Sequence, residues 1–419
     1  MAIYTDVSRV TGLFKEVYGD LLNTVPQFAL VYESVDWDEG HRQGQEFVEG
    51  VRTRRSGGVT YLPAAAGIQT LRDPIGTKIL PARVKGSQIY IRDGIDEETM
   101  RSSIGDKQAF KSGTKAVVES LWDSGHHRLE VEELYGQDPE GLAIVESVSG
   151  LDLTITEASW AEGIWFGTVD HEINIYSAPL SADLEVATTI TAIDPDNRII
   201  TVAAATNVTA GDIITFRGQW DHTLGTPAFV SAAGLIRIAS NDGELFAIDA
   251  ADEELWRGNV LSAGSGPLNL GNCLSGASKV FVRGGMGLLR VLVSPFTFTK
   301  LTEDEAALRR YVDKGDVREL VTGAEKISFY GLTGKMEIVP HPLLKRSKAI
   351  GYMPKLFKRE GVTDITFSNP EALSGGRVRE RYFIPIAGTN GWELRIWSHQ
   401  ALYTGYPGRT FLIEDIVNS

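Results

Sequence analysis

From about residue 42 to 92 the sequence has little helical periodicity and many Gly, Pro and β-branched residues, so this long segment reads as extended chain. It is also basic: Arg42, Arg52, Arg54, Arg55, Arg72, Lys78, Arg83, Lys85 and Arg92 stand against Glu46, Glu49 and Asp73. The whole chain has a formal net charge of −14, so this segment inverts the local sign. At its centre Arg52, Arg54 and Arg55 run into Ser56, Gly57 and Gly58, which loosen the backbone. An extended cationic excursion has no core of its own and needs a surface to lie on.

The flanking pattern is different. Before the excursion, Val10, Leu13, Phe14, Val17, Leu21 and Leu22 recur at helical spacing with Pro26 beyond them, and QFALVYESVDWDEG reads as β-like. After it, from about 94 to 136, Phe110, Val117, Val118, Leu121 and Trp122 form a helical stripe. Asp96, Glu97 and Glu98 suit the helix N-terminus, and Gly105 or Gly125 is a candidate break. LAIVESV, LDLTITEA, IWFGTV and EINIYSA then alternate as strands with one buried face.

Residues 186–218 read as a self-contained β module, with two strands around the turn Asp194-Pro195-Asp196-Asn197 and a third, DIITF, after Gly211. Beyond it LNLGNCLSGASKVFVRGGMG reads as helix and turn, LLRVLVSP as a buried strand, and FTFTKLTEDEAALRRYVD as a helix with Thr302 and Glu305 spaced as a capping box. ISFYGLTGKMEIVPHPLL reads as a hairpin, and WELRIWSHQALYTGYPGRTFLIED as two strands interrupted by Gly405, Pro407 and Gly408.

Composition narrows the function classes. With 419 residues the chain holds two or three compact units at ~150 residues each. No apolar run approaches the ~20 residues of a membrane span, and MAIYTDVSRV lacks the features of a secretion signal, so neither membrane partner nor export is expected. An acidic chain is a poor nonspecific duplex binder, because that affinity comes from displaced phosphate counterions. The lone Cys273 excludes a disulfide framework and a multi-cysteine zinc site, and its small apolar neighbours make it a buried structural thiol.

No constellation reads as catalytic, cofactor-binding or metal-binding. Adjacent His126 and His127 point about 100° apart on a helix and cannot chelate as an i, i+4 pair. Asp194, Asp196 and Asn197 lack the rest of a calcium loop, and GGMG at 284–287 is no phosphate cradle. His341 lies between prolines as a turn residue, and Asp36, Asp38 and Glu39 form a solvated edge. Trp37, Trp122, Trp160, Trp165, Trp256 and Trp392 are packing residues; in an exposed groove with paired carboxylates they would instead indicate a carbohydrate-active β-rich enzyme.

The order of parts resembles the major capsid proteins of tailed bacteriophages, the Hong Kong 97 fold. The local match lies in KVFVRGGMGLLRVLVSPFTFTKLTEDEAALRR, with its strand ending at Ser294-Pro295, then KMEIVPHPLL and the closing strands RERYFIPIAGTNGWELRIWSHQALYTGYPGRTFLIED. The resemblance implies an α+β chain with an N-terminal arm at 1–41, an extended loop at 42–92, and a peripheral domain with a long spine helix at 93–185. The inserted β module at 186–218 follows, and then a mainly axial domain at 219–419 that returns a strand to the peripheral domain near 365–398. It implies a non-enzymatic, self-assembling virion protein, forming hexamers and pentamers of an icosahedral shell around double-stranded DNA held without sequence-specific binding. Assembly would take place in the host cytoplasm, with scaffolding, portal and decoration proteins as possible partners. The alternative is an encapsulating shell or another virion structural protein of related fold.

A shell subunit needs matched charges between copies, since complementarity sets register. The expected intersubunit contacts are Arg52, Arg54, Arg55, Arg72, Lys78, Arg83 and Lys85 on the basic side. On the acidic side they are Asp96, Glu97, Glu98, Glu130 and Glu133.

Overall fold

The computed structural model describes residues 28–38, 42–43, 46–62, 64, 67–97, 107–178, 182–221, 228–303, 326–368 and 383–418. The helix read through Val10–Leu22, together with Glu98 and Glu305, lies outside these residues.

The segment read as β-like at 27–40 is a short helix, α1 (Leu30–Ser34), followed by strand β1 (Trp37–Asp38). A carboxylate supplies the reason: the N–H groups of Val31 and Tyr32 both donate to Glu130, so the open helix start is satisfied from outside. The basic excursion then divides in two. Strands β2 (Glu46–Arg54) and β3 (Lys78–Lys85) pair antiparallel as a long hairpin, whose connecting residues 55–77 carry no regular element where described. Its C-terminal part becomes β4 (Ser87–Asp96), a full member of a larger sheet.

Helix α2 (Lys107–Tyr135) runs unbroken through Gly125. That glycine is no break, because a Cβ there would collide with Ile365 and Ile396 and hold the helix off the sheet beneath. Val117 and Leu121 on its inner face join Ile95, Leu394 and Ile396 in one buried cluster. The helix ends where Gly136 packs against backbone, its carbonyl accepting from Gly234 N–H at 2.8 Å.

Next comes a closed antiparallel barrel of β5 (Ala143–Ser149), β6 (Asp152–Ile155), β7 (Glu172–Ser177), β8 (Ala182–Asp194), β9 (Ile199–Val202) and β10 (Ile213–Phe216), in the order β9-β6-β5-β10-β7-β8. The stretch 186–218 is therefore not self-contained. Its strands pair with β5, β6 and β7, because only closure buries Ile200, Ile214 and Phe216 with Leu153, Ile155 and Ile173. Its first turn is as read: Asp194 accepts from the N–H groups of Asp196 and Asn197. IWFGTV is not a strand; Glu162–Trp165 is a helical turn that drives Ile164 and Trp165 into the core.

The C-terminal part builds a six-stranded mixed sheet from β11 (Val260–Ser262), β12 (Leu289–Val293), β13 (Ile327–Gly331), β14 (Gly334–Pro340), β15 (Ala349–Tyr352) and β19 (Phe411–Glu414). Helix α3 (Leu270–Val282), capped by Asn269, buries Cys273, Ala277 and Val280 against Phe411, Val291 and Met336, while α4 (Pro295–Glu303) follows β12. Between β15 and β19 the chain leaves this sheet. Strands β16 (Phe357–Phe367), β17 (Phe383–Pro385) and β18 (Gly391–Thr404) join β1 and β4 beneath α2. Strand β18 pairs with β4 from Gly391–Asp96 to Gln400–Ser87, so residues far apart in sequence form the sheet under the long helix.

Candidate interaction surface

The hairpin has an anchored root and an uncovered tip. At the root Glu253, whose side chain is 2% exposed, receives Arg54 at 3.2 Å and Lys78 at 2.5 Å. Arg54 also donates to the Asp252 carbonyl. Arg83 and Lys85 sit 3.1 and 3.3 Å from Glu46 across the two strands, and these cations hold the Glu46 carboxyl below its usual range. Arg52 donates to the Arg54 carbonyl at 3.3 Å. Arg54, Lys78, Arg83 and Lys85 thus meet carboxylates of their own chain within the subunit. Across the hairpin, strand pairing brings Glu46 beside Arg83 and Lys85, whereas Glu253 reaches Arg54 and Lys78 from outside it. Arg55 and Arg72 remain exposed beyond the root.

The tip is apolar rather than merely charged. Val59, Tyr61, Leu62, Ile68, Leu71 and Ile75 are all exposed, Tyr61 at 93% and Ile68 completely. Isolated exposed apolar residues are ordinary, but six on one excursion make it a candidate interaction surface.

The acidic side is rearranged more strongly. Glu130 is 0% exposed and accepts from Val31 N–H at 2.7 Å, Tyr32 N–H at 2.8 Å and His341 Nε2 at 2.7 Å. Leu343 N–H donates to His341 Nδ1, so the imidazole proton is on Nε2 and points at Glu130. Glu132 accepts from Ser87 Oγ and from Ala232 N–H. Glu133 is buried, and among the described residues neither of its oxygens has a hydrogen-bond partner. Burial, reinforced by Glu130, pushes its carboxyl well above the usual range, so burial favours its protonated form. Glu130 and Glu133 are therefore internal, not contacts between copies. In the sequence they form a charged run, but the helix turns them onto the face that ties α1, β4 and the 341–345 segment together.

One turn further, Asp138 faces Lys345 at 3.4 Å and Lys348 at 3.8 Å. Burial raises the Asp138 carboxyl, but the two lysines outweigh it and leave the group lowered. Tyr135 Oη donates to the Leu343 carbonyl and accepts from Lys345 N–H, closing the same joint. Asp96 ends strand β4 opposite Gly391, and Glu97 N–H donates to the Asn390 carbonyl.

His127 lies 3.2 Å from the Gly163 carbonyl, and His126 packs on Tyr32 and Trp122. Trp160, Trp165 and Trp256 are buried, so they line no open groove. Among the described residues no group of three His, Cys, Asp or Glu side chains is placed to hold a metal. No described helix is long and apolar enough to cross a membrane.

No protein-family model and no curated protein matches this chain. Its structure is similar to that of the cyanophage A-1(L) capsid asymmetric unit, with a TM-score of 0.55, 9% identity, and coverage of 97% of this chain and 98% of the other. It is also similar to the capsid of a native GTA particle, with a TM-score of 0.52, 7% identity, and coverage of 96% and 95%. The fold is thus α+β and capsid-like over nearly its whole length.

Proposed function

We propose that this chain is a major capsid protein of the Hong Kong 97 type, whose copies form hexamers and pentamers of a closed shell around double-stranded DNA. The observation that carries the reading is the hairpin tip: its root is pinned by Glu253, yet Tyr61, Leu62, Ile68, Leu71 and Ile75 stand exposed. Burying Tyr61, Ile68 and Leu71 on another copy would contribute about 1.5–3 kcal/mol each before the costs of association. The full-length likeness to capsid chains supports the same reading.

In this reading the α2 sheet is the peripheral domain, the six-stranded sheet the axial domain, and the 42–92 segment the extended loop plus one peripheral strand. The chain works in the virion, assembles in the host cytoplasm with scaffolding, portal or decoration proteins, and carries no catalytic or cofactor site. Its acidic balance suits a container wall that does not grip packaged DNA.

Sedimentation velocity tests the proposal. The wild-type chain should form capsomer-sized or larger species, and Tyr61→Ser with Ile68→Ser and Leu71→Ser should stay monomeric at an unchanged melting temperature. A triple variant that assembles at the wild-type rate and yield would overturn it.

A further inference from the structure

The root of the basic hairpin rests on a strained turn. Glu244–Leu245 pairs antiparallel with Ile248–Asp249, so Phe246 and Ala247 are the two central residues of a tight hairpin. Both have positive φ, 54° and 62°. A two-residue turn with both centres left-handed is of type I′, which Asn-Gly fills without strain. Residues that carry a Cβ are disfavoured there, and a bulky ring most of all. The stretch Glu244–Asp249 contains neither Asn nor Gly.

The surroundings hold the turn in this state. Leu245 and Ile248 are buried, Trp256 Nε1 donates to the Leu245 carbonyl at 2.9 Å, and Arg237 donates to the Glu244 carbonyl at 2.9 Å. The strained residue Phe246 in turn touches two other elements. Its carbonyl accepts from Arg83 N–H of β3 at 2.9 Å, and its ring meets Tyr403 of β18 edge-on, with centroids 5.3 Å apart. Just beyond the turn, Glu253 receives Arg54 and Lys78, and the Asp252 carbonyl receives Arg54. Strand β3 is therefore fastened at both Lys78 and Arg83, about 17 Å apart along an extended chain. One fastening would leave the hairpin free to pivot, whereas two fix its direction.

Resting on the shell reading, we infer that Phe246 is a positioning residue: the strained turn at 244–249 aligns the hairpin for assembly within its own subunit. Strain of this kind persists only where the surrounding structure over-determines it. Here an unstrained Asn-Gly turn would lose the ring that ties the hairpin to β18, so stability is given up for direction.

Because Cys273 is the lone cysteine, spin labels can be placed cleanly on the full chain. In a Cys273→Ser background, Ile79→Cys on β3 and Ser275→Cys on α3 are exposed labelling sites, and double electron–electron resonance reads the distance between them in the unassembled subunit. With the native turn the distance distribution should be narrow. Phe246→Asn with Ala247→Gly supplies the preferred turn residues and removes the ring; the distribution should widen at least about twofold and the assembled fraction should fall about tenfold. Phe246→Leu, which keeps an apolar side chain, should widen it as well, so the width test does not depend on the double variant folding. Ala247→Gly alone keeps the ring and relieves strain: it should make unfolding about fivefold less favourable in a urea titration while leaving width and assembly unchanged. Unchanged widths in the Phe246 variants, or normal assembly of the double variant, would overturn the assignment while leaving the shell reading standing. An Ala247→Gly subunit no more stable than the wild type would overturn it too. Failure of the wild-type chain to assemble would instead remove the shell reading, and the widths in the lone subunit distinguish that result from a failure of the turn to align the hairpin.

Discussion

Glu130→Ala separates an internal tie from a contact between copies. The wild-type carboxylate accepts from Val31 N–H, Tyr32 N–H and His341 Nε2 at 2.7–2.8 Å with no exposure to solvent. The substitution strands three buried donors. Each buried donor left without a partner costs about 1–3 kcal/mol, and partial relaxation of α1 lowers the sum, so the expected loss is about 3–5 kcal/mol. Equilibrium urea unfolding of the unassembled subunit measures it, with the buried Trp160 and Trp165 as fluorescence probes. A residue that works only between copies would leave subunit stability within about 0.5 kcal/mol and change assembly alone. A measured loss below about 1 kcal/mol would therefore refute the tie.

Glu360 gives a pH dependence. Burial and the nearby Glu49 carboxylate raise it from 4.5 to about 7, so the fold favours its protonated form. Its contribution is most favourable below pH 4.5, declines as the pH rises toward about 7, and is constant above that. Glu360→Gln should raise the melting temperature relative to wild type increasingly across that window; a difference independent of pH would contradict the argument. Gly136→Ala places a methyl against the Ala232 carbonyl at the end of α2 and should abolish soluble protein, which a normal circular dichroism spectrum would disprove. Deleting 186–218 removes β9, β10 and most of β8 from the closed barrel, exposing Leu153, Ile155 and Ile173; the expected result is aggregation, and a cooperatively folding deletion product would contradict it.

Local periodicity carried much of the architecture. The long helix through Val117 and Leu121, the strands at 143–149 and 172–177, and the helix–strand–helix around Leu289–Val293 all lie where their patterns put them. Partnership across the chain was not legible. Nothing in ADEELW marks Glu253 as the anchor of Arg54 and Lys78, which stand far upstream and meet it only through the fold. The run Glu130, Glu132, Glu133 carries no local sign that it faces inward, because a helix rotates consecutive residues onto different faces and burial depends on what packs there. Likewise 186–218 has the turns and alternation of an independent module, and only pairing with β5, β6 and β7 makes it part of a barrel. Tyr61, Ile68 and Leu71 follow no helical or strand period among Pro63, Ala64 and Gly67, so their shared exposure shows only in the fold.

Electron microscopy of the purified chain under assembly conditions, alone and with a scaffolding partner, tests the central claim most directly. Closed shells of uniform diameter are expected, with each hairpin tip on a neighbouring copy. A chain that remains monomeric in every field, at all concentrations and salt conditions tried, would contradict it.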